Sequence, residues 1–470
     1  MKLLQPKLKN EIYLNATLAY CTTCNKTEFA RITANNEGVF MQRICPVAIP
    51  EPVKLASDYK WYIERIQEPQ SINKSDHSCK SKRGCPQDCG LCEWHTASIK
   101  LPVFSITNDC NLDCPICFTY NRPDVKYYKS PEDTQKILDH IFDKKEKRQI
   151  INLTGGEPTL HPQLLDILNR CRDKGIERIT MNTNGLRIAA NPDFAQQIKD
   201  SGVQVVLSLD TLDKEKSIKI HGRDITQQKL KTLEILEKLE IPTTILSVCI
   251  KEVNEEEVAD IAETYLRKDF VKSITIQNMT FTGKNGSNFY PRKHITIDEI
   301  EKLLAQKPDF SESDFFSLAS YHPLCYSVAY YIVSNSKILP LTKLIDKQTL
   351  TIATEDLYYL EPDSELTRNF VDGINRLWAD GYDEDYIMEL KKLIKEIHPT
   401  NGEISNERRK EILEKKIKSI YIHPHMDADN FDIDRVCRCG DIVPDETGKM
   451  IPACSYNLLY RQNDPRFWVE

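Results

Sequence analysis

From residue 101 onward, apolar runs of strand length alternate with amphipathic runs at helical spacing. The strand candidates are "LPVFSIT" (101–107), "QIINLTG" (149–155), "RITMNTN" (178–184), "QVVLSLD" (204–210), "TTILSVCI" (243–250) and "SITIQNM" (273–279). Helix candidates at 131–144, 162–174, 193–200, 225–239 and 254–268 lie between them. Pro131 and Pro192 fall near helix starts, where a fixed φ and a missing N–H are tolerated. Strands alternating with helices imply parallel pairing through right-handed crossovers. Six such units predict an α/β fold, a partial (β/α)6 barrel and not a complete eight-unit one; an open doubly wound sheet is the structural alternative.

The flanking regions read differently. Residues 1–95 carry short segments and many cysteines, as expected of a small metal-stabilised region in which ligation replaces core. Residues 96–295 hold the barrel pattern. Residues 296–430 turn helical and charged, with "ITIDEIEKLLAQ" and "NERRKEILEKKIKSIY" placing apolar residues at helical spacing among dense Lys and Glu, which read as solvated faces. Residues 431–470 return to Cys, Gly and Pro around "CRCG" and "IPACSYN".

Composition narrows the function classes. A net charge of -7 over 470 residues supplies no basic field for nucleic acid. No run of about 18 apolar residues occurs, and the first residues lack the apolar core of a secretory signal. The expectation is a cytoplasmic protein, with peripheral membrane contact from that side as a further option. Sixteen cysteines in a large chain of this kind point to metal and not to disulfides. Cys171 and Cys249 stand alone within apolar or amphipathic runs and read as small core residues.

The sharpest chemistry lies in "NDCNLDCPICF", where Cys110, Cys114 and Cys117 follow the first barrel strand directly. That places them on the carboxyl-end face, where barrel active sites are built. A four-iron cluster takes one ligand per iron, so three thiolates leave one iron open. The spacing resembles the C-x3-C-x-Φ-C signature of radical S-adenosylmethionine (SAM) enzymes, with Ile116 at the Φ position. The resemblance implies a [4Fe-4S] cluster whose open iron chelates SAM, and a 5'-deoxyadenosyl radical that abstracts hydrogen from a substrate. It further implies that Gly155, Gly156 and Glu157 in "LTGGEPTL" receive the methionine amino group. Asn182 and Asn184 in "TMNTNG", and Ser208 and Asp210 in "LSLDT", would lie near the ribose and methionine. Arg223 in "HGRD" would pair with the SAM carboxylate.

The remaining cysteines suggest auxiliary sites. Cys21 and Cys24 with Cys45 resemble a rubredoxin-like knuckle for one iron or zinc, with Cys79, or more weakly His77, as the fourth ligand. Cys85, Cys89 and Cys92 repeat the triad spacing, either as a second open cluster or as one closed by Cys79 or a distant Cys. Cys325, Cys437, Cys439 and Cys454 form a third set, tying the C-terminal segment back to the barrel. Together these patterns resemble the tetraether lipid synthase family, formerly described as methyltransferase-like. That resemblance implies carbon–carbon bond formation between alkyl chains of membrane lipids, assisted by auxiliary iron-sulfur clusters and fed by an electron donor such as ferredoxin or flavodoxin. The alternative is a small-molecule or peptide substrate: methylation of a pterin-like ring, or peptide modification. A lipid enzyme needs a long apolar tunnel to the SAM face, and the aromatic stretch 325–341 is either its lining or ordinary core.

Overall fold

The computed structural model describes residues 10–71, 79–121, 124–142, 150–283, 285–334, 337–355, 358–360, 364–399 and 404–467; His77 lies outside them. The N-terminal region is more regular than its cysteine content predicts. Strands β1 (Ile12–Cys21), β2 (Lys26–Asn35), β3 (Gly38–Arg43) and β4 (Val53–Ala56) form an antiparallel sheet in that order. Its core rests on Ala19, Ala30, Ile32, Ala34, Val39 and Met41. Alanines at alternate positions carry little hydropathy, so the period-two signal is weak although the burial is complete.

The barrel strands follow the sequence pattern closely. They are β5 (Leu101–Thr107), β6 (Ile150–Gly155), β7 (Arg178–Thr183), β8 (Gln204–Ser208), β9 (Thr243–Cys249) and β10 (Val271–Asn278), neighbours in chain order and all parallel. Helices Pro131–Ile141, Leu164–Asp173, Pro192–Ser201, Thr226–Lys238 and Glu255–Leu266 are the crossovers. Both prolines open their helices behind a side-chain cap: Ser130 Oγ accepts from Asp133 N and Asn191 Oδ1 from Phe194 N, each at 3.0 Å.

The C-terminal half adds strands to both edges of this sheet. They are β11 (Ser327–Ser334), β12 (Lys337–Pro340), β13 (Ile417–Ile422), β14 (Asp441–Pro444) and β15 (Met450–Pro452). The full order is β12-β11-β13-β10-β9-β8-β7-β6-β5-β14-β15, with β13 parallel to β10 and β14 parallel to β5. Residues 296–430 are thus helical only in part. Strand β13 begins where the helix Asn406–Lys416 ends, so the Lys- and Glu-rich run hid a strand inside an apparent helix. Among the described residues, no helix is long and apolar enough to cross a membrane.

Register sorts the side chains. Phe104 pairs with Leu153, Leu153 with Met181, Ile245 with Ile274 and Ile274 with Ile420, and all are buried against the helices. The alternate positions face inward: Val103 pairs with Asn152, Asn152 with Thr180, Thr180 with Gln204, Val206 with Thr244, Thr244 with Ser273 and Ser273 with Ser419. Each fully buried apolar side chain is worth about 1.5–3 kcal/mol, and a one-residue slip would exchange the two faces, so the register is strongly specified.

Candidate active site

The loop after β5 carries the cysteine triad and is fixed by backbone contacts that need glycine. Gly156 N donates to Thr107 O and Glu157 N to Asp109 O, both at 2.7 Å. A Cβ on Gly155 would sit 2.2 Å from Thr107 O, and one on Gly156 would sit 2.3 Å from Asp109 O. The two loops touch main chain to main chain, which side chains would forbid. From the other side, Gly286 N donates to Cys117 O at 2.8 Å and Asn285 Nδ2 to Cys114 O at 3.1 Å. The Asp109 carboxylate accepts Tyr128 OH at 2.5 Å and Lys126 Nζ at 3.0 Å, tying the loop to the segment beyond it.

Cys110, Cys114 and Cys117 all line one large cavity, together with Ile116. Burial pushes the Cys110 thiol up to about 12 and raises Cys114 as well. A thiol raised by burial is a poor free nucleophile, and a bound metal cation would favour its thiolate, which fits ligands. Cys117 Sγ also faces Thr119 Oγ1 at 3.0 Å and receives Asn121 Nδ2 at 3.6 Å.

Glu157 is buried and joins two strand ends. Its Oε1 accepts Thr159 N at 3.0 Å, Thr159 Oγ1 at 2.6 Å and Thr183 Oγ1 at 2.7 Å, while Oε2 accepts Asn184 N at 2.7 Å. Oε2 keeps capacity for a further donor such as an ammonium. Asn182 lines the cavity, and its Oδ1 has no hydrogen-bond partner among the described residues. Asn184 also lines it, but its amide is engaged, Nδ2 with Asn111 Oδ1 at 2.7 Å and Oδ1 with Leu186 N at 3.0 Å. Ser208 donates to Asp210 at 3.3 Å, and Asp210 Oδ1 accepts Val248 N at 2.7 Å. Arg223 stands apart: it is exposed, donates to Asn111 O at 3.1 Å and is absent from the cavity wall.

Several groups in this site carry no motif in the sequence. Lys229 is buried and donates to Asn184 O at 2.8 Å and Ser208 O at 2.5 Å, bracing two strand ends. His221 places Nδ1 3.9 Å from Cys114 Sγ and Nε2 3.6 Å from Asp210; burial pulls it down to about 4, so it is neutral at pH 7. The run "HPHMD" puts His423 and His425 on the cavity wall, where its two closely spaced histidines were the available signal.

The other cysteines regroup. The sulfurs of Cys21, Cys24 and Cys45 lie within 4.8 Å of one another, close to the ~3.8 Å that tetrahedral thiolates around one ion require. Cys79 is not with them: its main chain pairs with that of Cys92 in an isolated β-bridge, and its Sγ lies 3.2 Å from Gly90 O. Cys437 leaves the C-terminal set as well, because its thiol meets Cys85, which also contacts Cys89. The segment "GCPQDCGLC" is therefore surrounded by Cys79 and Cys437, two further thiols for a cluster. Cys325, Cys439 and Cys454 remain around a small second pocket together with His425 and Arg435, and Cys454 Sγ lies 3.8 Å from His425 Nδ1. His423, His425, Asp441 and Ala453 border both this pocket and the main cavity.

The main cavity, of about 1270 Å³, runs from the triad through the lumen to Leu366, His398, Arg409 and Leu413 at the opposite strand ends. Its lumen is polar at Asn152, Thr180, Gln204, Thr244, Ser273 and Ser419. Among the described residues of the 325–341 stretch, Tyr330 and Leu341 alone reach the wall; Tyr326, Val328, Ile332 and Leu339 pack as core.

The radical SAM superfamily profile matches residues 104–265. Over 95% of its length the chain is 26% identical to 7,8-dihydro-6-hydroxymethylpterin dimethyltransferase of Methanocaldococcus jannaschii, covering 94% of that protein. It is 30% identical to GTP 3',8-cyclase of Aliarcobacter butzleri over 47% of this chain and 68% of that one. It is 31% identical to a probable GTP 3',8-cyclase of Pyrococcus abyssi, of which it spans only 50%. Among solved structures, Streptococcus suis SuiB bound to S-adenosylmethionine aligns over 39% of this chain and 41% of its own, with 22% identity and a TM-score of 0.34.

Proposed function

Since this chain belongs to the radical SAM superfamily, we propose that it methylates, or otherwise functionalises by radical chemistry, a polar ring-bearing molecule of the pterin class held in the barrel lumen. The observation that carries this reading is the inward rung of amide and hydroxyl side chains, Asn152, Thr180, Gln204, Thr244, Ser273 and Ser419. Thr244 is already bonded to Gln204 and Ser273, and Thr180 to Ile151 O, but Asn152 Oδ1 and Asn182 Oδ1 have no partner among the described residues; they offer hydrogen bonds to ring N–H groups, and an alkyl chain would leave them unpaired. The relative that matches nearly the whole chain is named for a pterin substrate, which supports the same choice.

Cys110, Cys114 and Cys117 would hold a [4Fe-4S] cluster, and with SAM bound the pair would supply one-electron cleavage of the sulfonium and hydrogen abstraction. The chain's own residues do the rest. Glu157 holds its carboxylate at the cluster loop for the methionine ammonium, and Lys229 keeps the ends of β7 and β8 in place. The lumen wall orients the substrate, and Gly283 and Gly286 hold the main chain of Phe118 and Cys117 in place beside the triad.

Coupling of alkyl chains is the second reading. The cavity favours it, because about 1270 Å³ exceeds the roughly 300–1,000 Å³ of common ligand pockets and its far mouth carries Leu360, Leu366, Leu413 and Ile417. The test is anaerobic incubation of the iron-loaded enzyme with SAM and a reductant, with 6-hydroxymethyl-7,8-dihydropterin in one arm and diether lipid in the other, read by mass spectrometry. A methylated pterin supports the first reading. Joined alkyl chains with untouched pterin overturn it.

A further inference from the structure

Three arginines are buried in the C-terminal segment, and they differ in what balances their charge. Arg466 is forked onto Asp464, with Nη2 at 2.6 Å from Oδ2 and Nε at 2.9 Å from Oδ1. Arg435 faces the thiols of Cys325 and Cys454. Arg461 is 3% exposed, and among the described residues its Nη1 has no hydrogen-bond partner and no carboxylate stands within ion-pair distance of it. Its Nε and Nη2 are spent on Asn457 Oδ1, at 3.3 and 2.8 Å. Asp464, the acid whose charge reaches Arg461, is already engaged by Arg466 and by Tyr456 OH at 2.6 Å. Rings of Phe118, Tyr456 and Phe467 surround the guanidinium at 5.9, 4.8 and 5.2 Å, which soften but do not neutralise a buried charge.

The side chain lines the main cavity beside Asn457, and it lies within electrostatic reach of Cys117. It follows the π-helical turn Tyr456–Tyr460, an irregularity frequent at functional sites. Glu157 and Asp210 flank the other two triad cysteines, Cys110 and Cys114. The methionine of SAM is expected on their side, so the anion that Arg461 lacks belongs to the other occupant.

We propose that Arg461 is an oxyanion-binding residue, taking a phosphate or carboxylate of the substrate at the end of the cavity next to Cys117. The proposal rests on the cavity being the substrate site and is independent of whether a ring or an alkyl chain fills it.

The test uses the full, iron-loaded chain, with inorganic phosphate and malonate as anion probes read by thermal melting, and SAM affinity read by calorimetry. At least one probe should raise the melting temperature of the wild type. In Arg461→Met that probe should bind about 10–100-fold more weakly, as for loss of a charge-assisted hydrogen bond, with SAM affinity within twofold. Arg461→Lys keeps the charge but not the fork, and should weaken the probe several-fold; it serves as the readout where the methionine variant does not fold. The proposal is overturned if neither probe stabilises the wild type, if the response survives in both variants, or if SAM affinity falls tenfold, which would make the anion SAM's own carboxylate. Loss of iron with an unchanged probe response also overturns it, because Arg461 would then serve the cluster alone.

Discussion

The thiols of Cys437 and Cys85 meet, although one belongs to the C-terminal segment and the other to the N-terminal loop. This contact gives Cys85, Cys89 and Cys92 a fourth thiol, while Cys79 pairs with Cys92 through the main chain, in an isolated β-bridge. Cys437→Ser should therefore lower bound iron by up to about four atoms per chain, one cluster, while Cys21, Cys24 and Cys45 keep their ion. Iron analysis with Mössbauer spectroscopy reads the difference. A variant with full iron would show that Cys79 closes the cluster by itself.

Gly283 makes the tightest main-chain contact with the triad loop, at Phe118. A Cβ there would fall 1.8 Å from Phe118 O, a backbone atom with no room to move, and the residue holds φ at +75°. Gly283→Ala should cost about 3 kcal/mol or more locally and prevent assembly of the triad cluster, seen as loss of its absorbance. Gly448→Ala has the same left-handed strain at φ +83° with open space around it, and should load iron normally.

Glu157→Gln keeps the shape of the clamp between the strand ends but removes its charge. The amide oxygen can still accept from Thr159 and Thr183, but the NH2 that replaces Oε2 faces the Asn184 N–H and loses that one bond, so the fold should hold at a modest cost while SAM binding should weaken about 10–100-fold through loss of a charge-assisted contact. Calorimetric titration of SAM into the iron-loaded protein checks this.

Outside the active site, His294 Nε2 lies 3.0 Å from the buried Asp427 carboxylate. The hydrogen bond and charge of Asp427 hold His294 above its ordinary range against the opposing effect of burial, and Asp427 lies below the usual carboxylate range. A raised histidine contributes stability fully below its unfolded pKa of about 6.5 and loses it as pH rises through the folded value. A depressed aspartate contributes above its unfolded pKa of about 3.9 and loses it as pH falls. The melting difference between wild type and Asp427→Asn should thus be largest near pH 5–6 and shrink by about pH 8.5. A difference that is flat across this range would contradict a titrating pair.

The barrel was legible because β5 to β10 are apolar on the helix side and separated by amphipathic helices, two of them opened by a capped proline, so both periods show in the chain. The polar inner face was present in the same strands, as Asn152, Thr180 and Thr244, but only the register reveals that these residues share a wall. Strand β13 was hidden behind the charged helix before it, and β1 to β3 behind alanines. The triad and the Gly-Gly-Glu turn stood out because their spacing is local. The partnerships of Cys437 with Cys85, of Lys229 with two strand-end carbonyls and of Arg461 with the cluster loop join distant segments, and no local pattern encodes them.

The central claim is that three thiols on one loop support radical cleavage of SAM. The direct measurement is 5'-deoxyadenosine produced by the anaerobically iron-loaded enzyme with SAM and a reductant, compared with Cys114→Ala prepared in the same way. Production by the wild type, with loss to background in Cys114→Ala while the Cys21, Cys24 and Cys45 ion is retained, is the predicted result. Equal 5'-deoxyadenosine from both proteins would contradict the account.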